Sequence, residues 1–299
     1  MNVNALRDSD NDAGFYAVAS SAAKNWQGST LFQSTDNGAS YQAVATFTAR
    51  ATMGRTVGSL GDYSGGNTVD EINSVTISLQ YGSLSSVTYA NLLEGLQAAL
   101  IGDEVVYFRD AVLNADRTYT LRGFLRGRRG TEAAMTTHAA GERFILLTPA
   151  TVKRIAQETS DIGKTRLYKM VTSGATLSSA VAKSFTNDGA ALKPYAPVHV
   201  GGGRTADGSL LLSWVRRTRI SGEWRSNVDC PLGEASEAYQ VEILAGSTVV
   251  RTISTTAPNA TYAAVDQISD FGSLQSSVSL SVFQMSEAVG RGYPATATI

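Results

Sequence analysis

The chain is poor in the residues that most often carry chemistry. It holds one cysteine, Cys230, and two histidines, His138 and His199. A single cysteine forms no intrachain disulfide, and these three residues make no zinc-finger or CxxC framework. Charge is scarce as well. Asp, Glu, Lys and Arg make up 17% of 299 residues, against roughly 25% in typical soluble domains. With 25 basic and 26 acidic residues the formal net charge is −1. The basic excess that phosphate binding requires is missing, so stable nucleic-acid binding is not expected. No apolar run reaches the roughly 18 residues of a membrane-spanning helix. The polar start MNVNALRDSDNDAGF lacks the pattern of a secretory signal. These absences lead to an expectation of a soluble chain folded in a reducing compartment.

What is present is Ser and Thr, 62 in all, and arginine, 19 against 6 lysines. Arginine is the planar, bidentate donor favoured in buried and interfacial ion pairs, which suits a chain that assembles with others. A nucleotide bias of the gene would give the same skew.

Alternation is common and long amphipathic helices are hard to find. Val75, Ile77 and Leu79 alternate with polar residues, which predicts a half-buried strand. Tyr119, Leu121 and Phe124 predict another. Val105 to Phe108 is a continuous run, as in a strand buried on both faces, and Leu210 to Trp214 and Tyr239 to Leu244 read the same way. Within the last, Tyr239, Val241 and Ile243 share a face. Val278, Leu280, Val282 and Met285 predict a strand ending in a bulge. Asn37-Gly38 and Asp207-Gly208 are type I′ hairpin candidates. Asn91 to Leu100 is the best helix candidate, weakened by Gly95, and Ser178 to Lys183 is a second.

The expected fold class is mainly β, an irregular β-rich region over 1–193, with a possible subdivision near 70, followed by a β-sandwich over 194–299. Pro194 and Pro197 force extended backbone at the junction. The second part resembles a fibronectin type III domain, with Trp214 and Tyr239 at the core aromatic positions. Its connection from Val215 to Ala238 is unusually long and holds Arg216, Arg217, Arg219, Trp224 and Arg225. Such loops are usually functional or bound to a neighbour; the alternative is a solvated loop whose Arg and Glu pair internally.

Candidate chemistry is thin. Ser34 to Tyr41 resembles an Asp-box hairpin, in which Asp36 caps the turn and Gly38 supplies a positive φ. The run LRGRRGTE, with Arg122 just before it and Arg126, Arg128 and Arg129 within it, is the densest basic patch. It lacks the GKS/T ending of a phosphate-binding loop. His138 has no nucleophile motif beside it and reads as structural. Asp103 and Glu104 are adjacent, and adjacent strand residues point to opposite faces, so they are no glycosidase pair. No enzyme activity, cofactor or metal is expected.

Several segments together resemble one family: Gly14-Phe15-Tyr16, Trp26-Gln27-Gly28, Leu31 to Ser34, Ala99 to Val105, LRGRRGTE followed by HAAGERF, Pro194 to His199, and Ser213 to Arg219 with Pro231 to Glu234. These look like the C-terminal part of the tail hub, or host-specificity, protein of long-tailed phages and gene transfer agents. The resemblance implies a virion structural protein at the distal end of the tail, folded in the host cytoplasm before assembly. It implies a homotrimer around the tail axis, with hub, distal tail and fibre proteins as partners. The hydrolase-like and hub domains of longer members are not visible, so wall-degrading activity is not carried over. The candidate protein-interface residues are Arg122, Arg126, Arg128, Arg129, Arg216, Arg217, Arg219, Trp224 and Arg225. A rival expectation is a carbohydrate-binding adhesin for a host surface glycan, motivated by the Asp box and by Trp26 and Trp224 as exposed sugar-stacking faces.

Overall fold

The computed structural model describes residues 1–222 and 227–299. Among them the chain is mainly β and divides into two compact units. Met1–Asn4 with Asp12–Ala190 make the first, and Ala5–Asn11 with Ala191–Ile299 make the second.

The first unit opens with β1 (Phe15–Ala17), β2 (Ser29–Ser34) and β3 (Gln42–Phe47). Six strands then follow: β4 (Met53–Thr56), β5 (Asp70–Tyr81), β6 (Ala98–Ile101), β7 (Glu104–Leu113), β8 (Tyr119–Arg128) and β9 (Arg143–Leu146). They close into a barrel in the order β4-β5-β8-β7-β6-β9. Closure follows when the last strand pairs with the first, and it removes the unpaired edges that an open sheet exposes. The region expected to be irregular therefore contains a closed barrel, and residue 70 lies inside it as the first residue of β5. Its core is Val75, Ile77, Ile101, Val106, Phe108, Leu121, Phe124 and Phe144, each 3% exposed or less. Fully burying one such side chain stabilises by about 1.5–3 kcal/mol.

After the barrel come β10 (Lys153–Ile155), β11 (Thr165–Thr172) and β12 (Lys183–Thr186). β10 pairs with β1, and β12-β11-β2-β3 form a four-stranded sheet. Phe15, Tyr168 and Phe185 pack ring against ring, with centroids 4.6–6.0 Å apart. Trp26 is half-buried against this core, with the Arg50 guanidinium 5.6 Å from its ring centroid. It is not the exposed face expected for sugar stacking.

Both helix candidates are shorter than the sequence suggests. α1 spans only Tyr89–Leu93. Gly95 adopts φ 74°, and a left-handed residue just past a helix ends it, so Ala98 to Leu100 are free to enter β6. The second helix candidate becomes a 3-10 turn over Leu177–Ser179, followed by β12.

The second unit holds β13 (Val198–Arg204), β14 (Leu210–Val215), β15 (Tyr239–Ala245), β16 (Thr248–Thr255), β17 (Asn259–Tyr262), α2 (Ala264–Phe271), β18 (Ser279–Ser286) and β19 (Gly290–Thr298). Two antiparallel sheets, β13-β14-β17 and β16-β15-β18-β19, share one core, a fibronectin type III-like sandwich. The Trp214 and Tyr239 rings meet edge to face at 5.2 Å. β18 carries its bulge between Phe283 and Met285. β14 is not buried on both faces: Leu210, Leu212 and Trp214 point inward while Leu211, Ser213 and Val215 are exposed. Asp207-Gly208 is not a type I′ turn, because Gly208 alone has a positive φ and type I′ needs two.

Candidate functional site

The densest motif of the chain lies on β8 and just beyond it. β8 pairs with β7 through a bulge, with Val105 opposite Arg128 but Tyr107 opposite Leu125. Gly127, at φ 58°, takes the extra residue. A bulge bends the strand and re-aims its side chains. Here it turns Arg126 into the barrel, where its side chain has no exposed surface.

Glu104, the first residue of β7, meets it. The turn at Gly102-Asp103 leaves the Asp103 side chain 78% exposed and the Glu104 side chain fully buried, as opposite faces require. Arg126 Nε and Nη2 donate to Glu104 Oε1 and Oε2 at 3.0 and 2.9 Å. Nη1 donates to Asp70 Oδ2 at 3.0 Å and to the Gly61 carbonyl at 2.9 Å. Asp70 is itself fixed by the backbone N–H groups of Ile72 and Asn73 at 3.1 and 3.0 Å. The Gly127 N–H donates to Glu104 Oε1 at 2.6 Å.

His138 completes the set, its side chain 2% exposed. Its Nε2 lies 2.7 Å from Glu104 Oε2, and its Nδ1 lies 2.7 Å from Glu142 Oε2. Burial alone would lower the His138 pKa, but hydrogen bonds to Glu104 and Glu142 outweigh it and hold it above the usual histidine range. Burial pushes the Glu104 carboxyl up, yet hydrogen bonds from His138 and Arg126, with the arginine charge, hold it below the usual range. Both ring nitrogens of His138 face carboxylates, so the ring held this way offers no free nitrogen to a substrate. What the arrangement does chemically is balance buried charge. Among the described residues no group of three or more His, Cys, Asp or Glu is placed to hold a metal ion.

The other expected interface residues separate. Arg126 is corrected to a buried residue, since a guanidinium without exposed surface cannot meet a partner. Arg122 is exposed on β8, opposite Asp110. Arg128 is half-buried, stacks 5.4 Å from the Tyr107 ring centroid and donates to Asn67 at 3.3 Å. Arg129 is half-buried at φ 57° and its carbonyl accepts from Asn4 at 2.7 Å. In the second unit Arg216 pairs with Asp229 at 2.7 Å, and Arg217 lies 5.1 Å from the Tyr195 ring centroid. Arg219 is likewise corrected: it is buried and pairs internally with Glu234 at 3.0 Å. Trp224 and Arg225 lie outside the described residues.

Sequence reasoning missed Asp70 and Glu142 and did not join His138 to Glu104. The one local signal was the four-residue spacing of His138 and Glu142. The Asp box forms as its motif implies. Asp36 accepts from Ser34 Oγ at 2.7 Å, Ser40 N–H at 2.9 Å and Ser40 Oγ at 2.6 Å. Those bonds hold its pKa at about 2.

Residues 51–145 match the model of the family described as Rcc01698-like, C-terminal. That span coincides with the barrel, Met53 to Leu146. No curated protein matches the chain. Solved structures similar to it include the rat CD45 extracellular region, domains d3-d4, at 14% identity and TM-score 0.27, covering 46% of this chain and 64% of that one. Another is the chicken CNTN1 FN1-FN3 domains, at 9% identity and TM-score 0.25, covering 96% of this chain and 97% of that one.

Proposed function

We propose that the chain is a structural component of the tail tip, or baseplate, of a long-tailed phage or gene transfer agent. On this reading it joins the central hub to peripheral fibre or receptor-contacting parts and works without a cofactor. One observation carries the reading. The span matching the Rcc01698-like C-terminal model folds as one closed barrel. The two runs on which the resemblance to tail hub proteins is strongest, LRGRRGTE and HAAGERF, meet at its buried charge network through Arg126, Glu104 and His138. Motif residues that hold a scaffold together suit a structural part. The rival adhesin reading has less support, because the Trp26 ring is half-buried against Arg50.

The test is the composition of the particle. Tails purified from producing cells, examined by mass spectrometry and by antibody labelling in the electron microscope, should contain the chain at the distal end. Absence from purified tails overturns the proposal.

A further inference from the structure

The charge network lies at one end of the barrel. β4 ends there at Thr56, β6 at Ile101 and β8 at Arg128, while β5, β7 and β9 start there at Asp70, Glu104 and Arg143. The chain between β8 and β9 therefore runs across that end. Its margins are tied to the barrel by backbone and hydroxyl groups. Thr131 Oγ1 accepts from the Val105 N–H at 3.0 Å, and Thr56 N–H and Gly141 N–H exchange bonds with Glu142 and Thr56 carbonyls at 2.9 and 3.0 Å. Between those margins, the Met135 carbonyl accepts from Arg126 at 3.3 Å and the His138 ring reaches Glu104.

The ring is the exceptional tether. A neutral imidazole has one donor and one acceptor, whereas an imidazolium has two donors. Two carboxylates at 2.7 Å, one on each nitrogen, are both satisfied only by the protonated ring. The charged groups about it agree. Glu104 of β7 and Glu142 before β9 flank it, and Arg126 of β8 is shared between Glu104 and Asp70 of β5. Glu132 is the acidic residue of the 3-10 turn within the crossing segment, and Arg55 of β4 donates to the Gly141 carbonyl at 2.7 Å. The neutral ring keeps one N–H, so on loss of the second proton either Glu104 or Glu142 faces a ring lone pair instead of a donor.

We propose that residues 131–142 form a strap across this end of the barrel, and that the proton on His138 is its latch. Loss of that proton releases the strap while the barrel strands stay paired. The inference rests on the geometry of the network and not on the tail-tip reading.

Nitrogen-15 NMR of the full chain should find both His138 ring nitrogens protonated where a free imidazole is already half neutral. The His138 midpoint should lie above that of a free imidazole. Across that midpoint, hydrogen exchange at amides 132–138 should rise about tenfold beyond the rise common to all amides, while β7 and β8 stay protected. Glu142→Gln removes one flanking carboxylate at a partly exposed position and should lower both the His138 midpoint and the pH of strap release together. His138→Gln should give a strap that exchanges fast at every pH. If that variant does not fold, Glu142→Gln carries the test. A His138 midpoint at or below that of a free imidazole overturns the proposal, as does strap exchange that ignores His138, or strap and barrel opening together.

Discussion

Arg126 and Arg122 sit four apart on one strand, spacing that puts both on the same face of a regular strand. One is buried and the other exposed. Two left-handed glycines explain the difference, Gly123 at φ 66° and Gly127 at φ 58°. Each breaks the alternation, and from composition alone no arginine of the motif could be told from its neighbours. A Cβ at Gly127 would lie 2.8 Å from Met135 Sδ and 3.1 Å from Glu132 Cα, at a positive φ, so any other residue there is strained. Once buried, Arg126 is held by the charges it answers. Arg126→Met should destabilise the first unit by about 3–5 kcal/mol, because it leaves Glu104 and Asp70 buried without their cation; urea unfolding measures it. The two titrating groups set the stability's pH limits. His138, with a raised pKa, contributes stability that is present below the ordinary histidine value and lost as pH rises through the folded one. Glu104, with a lowered pKa, contributes stability present above the ordinary glutamate value and lost as pH falls through the folded one. Urea midpoints for the full chain should be highest between those limits, and a profile flat from acid to alkaline pH would contradict it.

At the scale of elements, what was legible depended on how local the cause is. The Asp-box turn is written in eight consecutive residues, and its bonds follow from them. The alternation of β5 and the continuous run of β7 also show in sequence. Barrel closure does not, because it rests on the pairing of Met53 with Ile145, and no pattern along the chain announces a partner so distant. α1 was over-read because Leu100, counted on a helical face, is buried in β6. Asp36→Ala should loosen the β2–β3 hairpin, seen as faster amide exchange over 34–42, with the barrel unaffected. Because its folded pKa is depressed to about 2, the Asp36 contribution is present above the ordinary aspartate range. It fades as pH falls through about 2.

For the whole molecule, the division into units is not a division of the sequence into two continuous stretches. Ala5–Asn11 belong with the second unit, where Asn11 Oδ1 accepts from Arg219 Nη1 at 2.5 Å and Asp8 Oδ2 from the Ser221 N–H at 2.9 Å. The long connection after β14 thus has partners from the start of the chain, which a reading of residues 194–299 by themselves could not supply. Asn11→Ala should weaken amide protection around 218–221 by about 1 kcal/mol, with the barrel strands unchanged; equal loss in both would refute that assignment.

The two ends of the barrel differ in what change they tolerate. At one, Gly61 in the β4–β5 connection and Met135 in the β8–β9 connection both lend carbonyls to Arg126, so neither connection can be rewritten alone. At the other, the β7–β8 hairpin tip at Ala115, Asp116 and Arg117 is exposed and takes no part in that network. A strand cannot be added to a ring that is already closed, but a loop can be lengthened at little entropic expense. The hairpin tip is therefore where new peptide can be grafted, and where a lineage could diversify what the chain touches while its sealed end stays the same.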